Sequence, residues 1–104
     1  MKLEIKNLKF KCIIGILEFE RTNPQQVIVN ISFQYQFTKN YFIDYSKIIS
    51  YIKKTMKKKK FYLIEDVIIY IKNDITKKYK IKKLKLQIIK PNIIKNVKVS
   101  LHNK

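Results

Sequence analysis

The sequence predicts an α+β domain in which two helices cover one face of an antiparallel four-stranded sheet, in the order ββααββ. Two segments near the N-terminus and two near the C-terminus alternate apolar and polar residues, as strands with one buried face do. Between them, apolar residues recur at the spacing of a helix in two further segments. The 104 residues contain no repeat or linker, so a single domain over residues 1–104 is expected.

The first two strands are predicted at residues 2–13 and 26–37, joined by a loop over residues 15–25. The first strand changes its alternation around Asn7, where a bulge is expected. Gly15, the only glycine, is expected where the backbone needs a positive φ or a close approach. The second strand is apolar on one face and rich in glutamine, asparagine and serine on the other. The sheet should therefore have one polar face.

The first long helix is expected to be capped by Asp44 or Ser46 and to end in the lysine run 57–60. The second is predicted over residues 61–78, where two overlapping apolar rows give it a broad buried stripe. Glu65 falls in its first turn, where the helix dipole favours an acidic side chain.

The last two strands are predicted over residues 81–89 and 95–102, and the third strand is expected to close at Lys90 and Pro91. Long strands leave exposed edges that need a partner. A chain this small also gains stability from association, because it buries only a limited fraction of its surface alone.

The high positive charge of the chain suggests a polyanion partner, but the near absence of arginine argues against one. The net charge is +17, which favours association with nucleic acid or anionic surfaces. Arg21 is the only arginine, however, and the lysines are spread through every segment. Because bidentate recognition of bases and phosphates depends on the arginine fork, specific nucleic-acid binding is not expected.

Several other classes of function are excluded by composition. The single cysteine, Cys12, and the single histidine, His102, can form neither a disulfide framework nor a zinc site nor a histidine-based triad. No zinc site of this kind is therefore expected, and the sequence indicates no other cofactor. No apolar run approaches the roughly 20 residues of a membrane span, and the charged N-terminus is unlike a signal peptide. A cytoplasmic protein is expected.

Four polar residues lie at the ends of predicted elements: Glu20 in the first loop, Tyr45 and Glu65 at the two helix starts, and Lys90 at the end of the third strand. Carboxylate, phenol and amine groups can together form a metal-free site for proton transfer. Each residue also has a structural explanation. Glu20 could pair with a neighbouring cation, and Tyr45 could belong to the core. Glu65 could simply be stabilised by the dipole at the helix N-terminus. Lys90 is one of many lysines.

The order and spacing of these residues resemble the dihydroneopterin aldolase family. In that family a glycine, a glutamate and a glutamine follow one another at equal intervals, a tyrosine opens the first helix, a Leu-Ile-Glu segment opens the second, and Lys-Pro ends the third strand. The matching positions here are Gly15, Glu20, Gln25, Tyr45, Leu63, Ile64, Glu65, Lys90 and Pro91. The match spans nearly the whole chain and implies the tunnelling fold of that family.

The resemblance also implies a reaction of folate synthesis. 7,8-Dihydroneopterin would undergo retro-aldol cleavage to 6-hydroxymethyl-7,8-dihydropterin and glycolaldehyde, without a metal or a Schiff base. Ile64 and Glu65 would bind the pterin, with the Glu65 carboxylate accepting two hydrogen bonds from the ring. Lys90 would act in proton transfer near ring N5. Tyr45 would assist at the side-chain hydroxyls, and Glu20 would position either the substrate side chain or Lys90.

Family members build the site between subunits of tetramers and octamers. The resemblance therefore implies a homo-oligomer in which Tyr45 reaches a site whose Glu65 and Lys90 belong to a neighbouring subunit. The segment between Asn30 and Tyr45 is shorter than is usual in the family, because a loop that helps to shape the pocket is missing.

Two alternatives remain at the level of sequence. An epimerase acting on dihydroneopterin or its triphosphate would use the same retro-aldol step, followed by re-addition before release. A non-catalytic basic module would bind nucleic acid through the lysine clusters at residues 57–60 and 77–83, with a steep dependence on salt.

Overall fold

The computed structural model describes residues 1–94 and 97–102. In chain order the elements are β1 Lys2–Cys12, α1 Glu18–Thr22, β2 Gln25–Gln34, α2 Tyr45–Lys59, α3 Ile64–Lys78, β3 Lys82–Ile94 and β4 Val97–His102. The strands pair antiparallel in the order β1-β2-β3-β4. β1, β2 and β3 are long and carry the core, and β4 is a short strand at the β3 edge. The predicted α+β class is confirmed.

The core lies between one face of the sheet and the two long helices. β2 runs through its centre, and every second residue from Val27 to Phe33 is buried. α2 packs on β1, and α3 packs on β3 and β4. The helices contribute to the same core the buried residues Ile48, Ile52, Met56, Ile64, Val67, Ile68, Ile71 and Ile75. Each such aliphatic side chain contributes about 1.5–3 kcal/mol when fully buried.

The bulge predicted in β1 is present. The register against β2 shifts between Ile5 and Leu8, and Asn7 has a φ of 58°. The backbone amide of Asn7 donates a hydrogen bond to Asn30 Oδ1 at 2.7 Å. Asn30 Nδ2 in turn donates to Gln87 Oε1 at 2.9 Å. Side-chain hydrogen bonds on the polar face of the sheet thus fix the bulge.

The two helix starts differ in how well the sequence predicted them. Asp44 is the N-cap of α2, and its Oδ1 accepts the Ser46 amide at 2.9 Å, as expected. The predicted start of α3 at residue 61 is wrong, since α3 begins at Ile64. The Phe61 carbonyl accepts the Gly15 amide at 3.1 Å, so it is held by the loop after β1 and does not enter the helical hydrogen-bonding pattern.

Three further boundaries differ from prediction. The loop over residues 15–25 contains the five-residue helix α1, and β2 ends at Gln34, before residue 37. β3 does not close at Lys90 but continues through Pro91 to Ile94. Its last pair with β2 is Ile28 with Ile89, so the amide that proline lacks interrupts no bond to β2. Of the predicted fourth strand, residues 95 and 96 lie outside the described residues.

Candidate functional site

A buried ion pair connects α1 to β3. Lys90 Nζ lies 2.7 Å from Glu20 Oε2, and the side chains expose 6% and 1% of their surface. They are the buried charged residues of the part of the chain that the structure describes. Lysine and glutamate are almost never fully buried unless they are paired. Breaking such a pair by removing one partner typically costs about 3–5 kcal/mol.

The Glu20 carboxylate also accepts two further hydrogen bonds. Gln25 Nε2 donates to Oε2 at 2.9 Å, and the Leu17 amide donates to Oε1 at 3.1 Å. Gln25 Nε2 also donates to the Ile14 carbonyl at 2.7 Å, so the amide is itself fixed. Gln25 belongs to the family spacing but was not predicted as a site residue. Its separation of five residues from Glu20 was the only sequence signal for this contact.

Two opposing effects act on the pKa of Glu20. Burial is the largest and would raise the pKa of the carboxyl group. The hydrogen bonds from Lys90, Gln25 and the Leu17 amide, together with the charge of Lys90, outweigh burial and hold the pKa below its usual value. Glu20 is therefore ionised at neutral pH and faces a cation.

Gly15 makes room for this carboxylate. A Cβ atom added at Gly15 would overlap the Glu20 carboxyl group, and the backbone φ of Gly15 is +128°. A positive φ or a close approach was predicted for this residue, and the structure shows both. Any other residue here would be strained and would push the Glu20 side chain away.

The short helix α1 presents Glu20 to the site. Its N-cap Leu17 has no side-chain oxygen, so the usual cap bond is absent. Glu20, three residues on, instead accepts the backbone amide of Leu17, which is the other hydrogen bond of a capping box. The carboxylate thus helps to form the turn that carries it.

Tyr45 and Glu65 lie apart from this pair. Tyr45 exposes 63% of its surface at the start of α2, so it is not a core residue. Glu65 is exposed in the first turn of α3, beside the buried Ile64. Within the described ranges neither Tyr45 nor Glu65 has a side-chain hydrogen bond or an ion pair. The structure therefore brings together two of the four polar candidates and leaves two at the surface.

The first turn of α3 is nevertheless close to the loop that carries Glu20. The Gly15 amide donates to the Phe61 carbonyl, and α3 begins three residues later at Ile64. This hydrogen bond joins the loop that carries Glu20 to the segment that carries Glu65, and each residue lies only a few positions beyond it.

The available groups favour proton transfer over nucleophilic attack by sulfur. A carboxylate and an ammonium in direct contact can exchange or relay protons with a bound molecule. The Cys12 thiol is buried, and burial raises its pKa to about 11, so it is protonated and unreactive at neutral pH. Within the described residues there is no group of three or more His, Cys, Asp or Glu residues that could hold a metal ion. None of the described helices is long and apolar enough to cross a membrane.

Solved structures share the fold over almost the whole chain. A dihydroneopterin aldolase from Escherichia coli in complex with neopterin has a TM-score of 0.85 and 16% identity, covering 100% of this chain and 99% of its own. A Vibrio cholerae protein assigned as dihydroneopterin aldolase (FolB) has a TM-score of 0.85 and 17% identity, covering 99% and 96%. A dihydroneopterin aldolase from Burkholderia thailandensis bound to guanine has a TM-score of 0.73 and 14% identity, covering 99% and 89%.

Sequence comparison identifies the family. Among curated protein sequences no significant match is found. The family model for dihydroneopterin aldolase, FolB, matches residues 3–102. This range includes every element of the fold except the first residue of β1, together with the buried pair and both exposed candidates. The chain therefore belongs to the dihydroneopterin aldolase family.

Proposed function

We propose that this protein cleaves 7,8-dihydroneopterin by a retro-aldol reaction into 6-hydroxymethyl-7,8-dihydropterin and glycolaldehyde. The observation that carries the proposal is the buried Lys90–Glu20 pair, a cation and an ionised carboxylate 2.7 Å apart in a chain of this family. The E. coli relative is in complex with neopterin and the Burkholderia relative is bound to guanine. Pterin and guanine share the same edge, formed by a 2-amino group and an adjacent ring N–H.

The proposed reaction needs proton transfers at two places, a side-chain hydroxyl and the ring around N5. A base removes the proton of the hydroxyl on the second side-chain carbon. The bond between the first and second side-chain carbons then breaks, and the oxygen of that hydroxyl becomes the carbonyl of glycolaldehyde. The electron pair moves into the C6–N5 unit of the ring, which gains a proton at N5. Protonation of the exocyclic carbon and loss of the N5 proton then give the product.

Lys90 delivers and recovers the proton near N5 in this proposal, directly or through a water molecule. Glu20 holds the Lys90 ammonium in place and accepts hydrogen bonds from the substrate side chain when the pair opens. Glu65 anchors the ring, because two carboxylate oxygens match its 2-amino group and N3–H. Ile64 packs against the ring, and Tyr45 acts at the side-chain hydroxyls.

We further propose that the active form is a homo-oligomer, in which Tyr45 of one subunit reaches the site formed by Glu65 and Lys90 of another. This is supported by the exposure of Tyr45 on the isolated chain and by the missing hydrogen-bond partners of Tyr45 and Glu65 among the described residues. Because the substrate is a soluble metabolite, we place the activity in the cytoplasm.

Turnover of 7,8-dihydroneopterin by wild type and single variants tests the proposal. Lys90→Ala should lower kcat by about 10²–10⁴-fold, because it removes the group that transfers the proton. Glu65→Ala should mainly weaken binding, by roughly tenfold to a hundredfold, because it removes a charge-assisted hydrogen-bond pair. Release of glycolaldehyde, followed by chromatography of the pterin products, is the measurement.

Two variants serve as matched controls. Lys85→Ala removes an exposed lysine from the same strand as Lys90, and Asp66→Ala removes the exposed acid next to Glu65; both should retain wild-type kinetics. Unchanged kinetics in Lys90→Ala or Glu65→Ala would overturn the function assigned to that residue. A wild-type protein that forms only a stereoisomer of the substrate, without glycolaldehyde, would be an epimerase.

A further inference from the structure

We propose that Arg21 is a positioning residue, which fixes the Glu20–Lys90 pair relative to the first turn of α3 where Glu65 lies. This inference rests on the proposed function and extends it to a residue outside the predicted site. It assigns to Arg21 the control of the distance between Glu65, which binds the ring, and Lys90, which acts at N5.

The Arg21 guanidinium donates three hydrogen bonds to backbone carbonyls. Nη1 donates to Gly15 at 3.0 Å and to Phe61 at 3.2 Å, and Nη2 donates to Lys60 at 2.9 Å. The guanidinium carbon also lies 3.8 Å from the centre of the Tyr62 ring. A planar group with several fixed donors can make these contacts at once, whereas a lysine ammonium cannot.

These contacts join two segments that are far apart in sequence. Gly15 lies in the loop after β1, whereas residues 60–62 belong to the short connection between α2 and α3. Lys60 ends α2 in the left-handed conformation, with a φ of 49°. The Gly15 amide donates to the Phe61 carbonyl at 3.1 Å, and the guanidinium binds both residues of that bond. We call this set of contacts the Arg21 clamp.

The clamp is placed where the chemistry needs a fixed distance. Arg21 directly follows Glu20, whose carboxylate binds Lys90, and the clamped connection leads within a few residues to Glu65. In the proposed reaction Glu65 holds one end of the pterin and Lys90 acts at N5. A misplacement of about 1 Å between the binding and reacting groups can cost about 10²-fold in rate. Arg21 itself does not need to touch the substrate in this arrangement.

A purely structural function of Arg21 makes a different prediction from a positioning function. If the clamp only stabilises the loop, total activity and the amount of ligand bound should both fall in proportion to the fraction of protein that remains folded. If it positions Glu20 and Lys90, kcat should fall in fully folded protein while binding of an unreactive ligand is largely retained.

The experiment compares Arg21→Lys and Arg21→Ala with wild type, using 7,8-dihydroneopterin for turnover and neopterin for binding. We expect kcat to fall about 10- to 100-fold in both variants, while the Kd for neopterin rises by less than about threefold, a small part of a typical binding free energy. Guanidinium ion at a concentration well below the denaturing range should raise kcat of Arg21→Ala severalfold. Sodium chloride at equal ionic strength should not.

Ile5→Val is the control for lost stability, because it removes one methyl group from β1 away from the clamp. Wild-type kcat in Arg21→Lys would overturn the inference. So would a loss in Arg21→Ala that matches Ile5→Val at equal folded fraction and is not rescued by guanidinium. If wild type cleaves 7,8-dihydroneopterin under these conditions, such results refute the positioning function alone. If wild type releases no glycolaldehyde, both the proposed function and this inference fail.

Discussion

At the scale of single residues, the Glu20 carboxylate receives hydrogen bonds from three parts of the chain. Lys90 comes from β3, Gln25 from the start of β2, and the Leu17 amide from the turn before α1. Hydrogen bonds to an ionised group are about twice as strong as neutral ones. This environment keeps the carboxylate charged despite its burial, and it fixes the ammonium of Lys90 in a single place.

The lowered pKa of Glu20 predicts how stability depends on pH. A carboxyl group whose pKa is depressed by folding stabilises the fold above its unfolded pKa, near 4.3, and this contribution is lost as the pH falls through the lower folded value. The stability difference between wild type and Glu20→Gln should therefore be largest at neutral pH and shrink below about pH 4.3. Denaturant unfolding at several pH values measures it.

Glu18→Gln is the control for this experiment, because Glu18 is an exposed acid on the same short helix. It should change stability little at any pH. A difference between wild type and Glu20→Gln that stays constant down to strongly acidic pH would contradict an ionised Glu20 in the folded state.

Gly15→Ala should reduce both stability and turnover. The new Cβ overlaps the Glu20 carboxyl group, and a positive φ costs a residue with a side chain about 1–2 kcal/mol. We expect a lower melting temperature and a kcat reduced toward that of Glu20→Gln, because the carboxylate is displaced from Lys90. Thermal unfolding and glycolaldehyde release measure the two effects. Wild-type values of both would show that Glu20 can move without consequence.

At the scale of elements, hydrophobic periodicity predicted the strands and long helices but not α1 or the extension of β3. A helix of five residues is too short to show an apolar period, and its N-cap Leu17 is not a capping residue type. It forms because Glu20 accepts the Leu17 amide and Arg21 binds distant carbonyls. β3 continues past Pro91 because its pairing with β2 has already ended at Ile89. Both features depend on tertiary contacts.

In the site, too, features set by local sequence were predicted from it, whereas features set by tertiary contacts were not. The buried contact between Glu20 and Lys90 joins residues that are far apart in sequence, so no local pattern predicts it. Only the family spacing placed both residues in one site. The sequence also predicted Tyr45 and Glu65 at helix starts, which is where they lie. Their function toward the pterin stays a prediction.

The N-terminus of α2 depends on its cap, which also holds the turn that carries Tyr45. Asp44 Oδ1 accepts hydrogen bonds from the Ser46 amide at 2.9 Å and its hydroxyl at 2.7 Å. These bonds lower the pKa of Asp44. Asp44→Ala should lower the melting temperature, whereas Asp44→Asn, which keeps a capping oxygen, should lower it less. Equal melting temperatures for Asp44→Ala and wild type would show that the cap adds nothing measurable.

At the scale of the whole molecule, the net charge of +17 produces repulsion that is not specific to any site. Four consecutive lysines, residues 57–60, are all exposed at the end of α2. The single arginine is bound to backbone carbonyls through the clamp, so its fork is not free to grip phosphates. The charge bears on the solubility of the protein and on the stability of its compact state.

Salt should stabilise this protein. Raising the ionic strength from about 0.01 M to about 1 M shortens the Debye length from about 30 Å to about 3 Å and screens the repulsion between surface lysines. The melting temperature should therefore rise with sodium chloride. The attraction within the buried Lys90–Glu20 pair is screened much less, so this gain is not offset. Thermal unfolding at a series of salt concentrations measures the slope.

A double variant, Lys57→Gln with Lys58→Gln, should have a smaller salt slope because it removes two exposed positive charges. A melting temperature that falls with salt in the wild-type protein would mean that attractive surface pairs dominate over repulsion.

The Arg21 clamp has a consequence for the gene as well as for the protein. Arg21 is the single arginine among 24 basic residues, and one base change converts the arginine codon AGA into the lysine codon AAA. Lysine can replace arginine at little cost where only a solvated charge is needed. At position 21, three carbonyls and an aromatic ring need the guanidinium plane. Every arginine codon has guanine at its second position, so the clamp places this one base of the gene under a physical constraint that synonymous change cannot relieve.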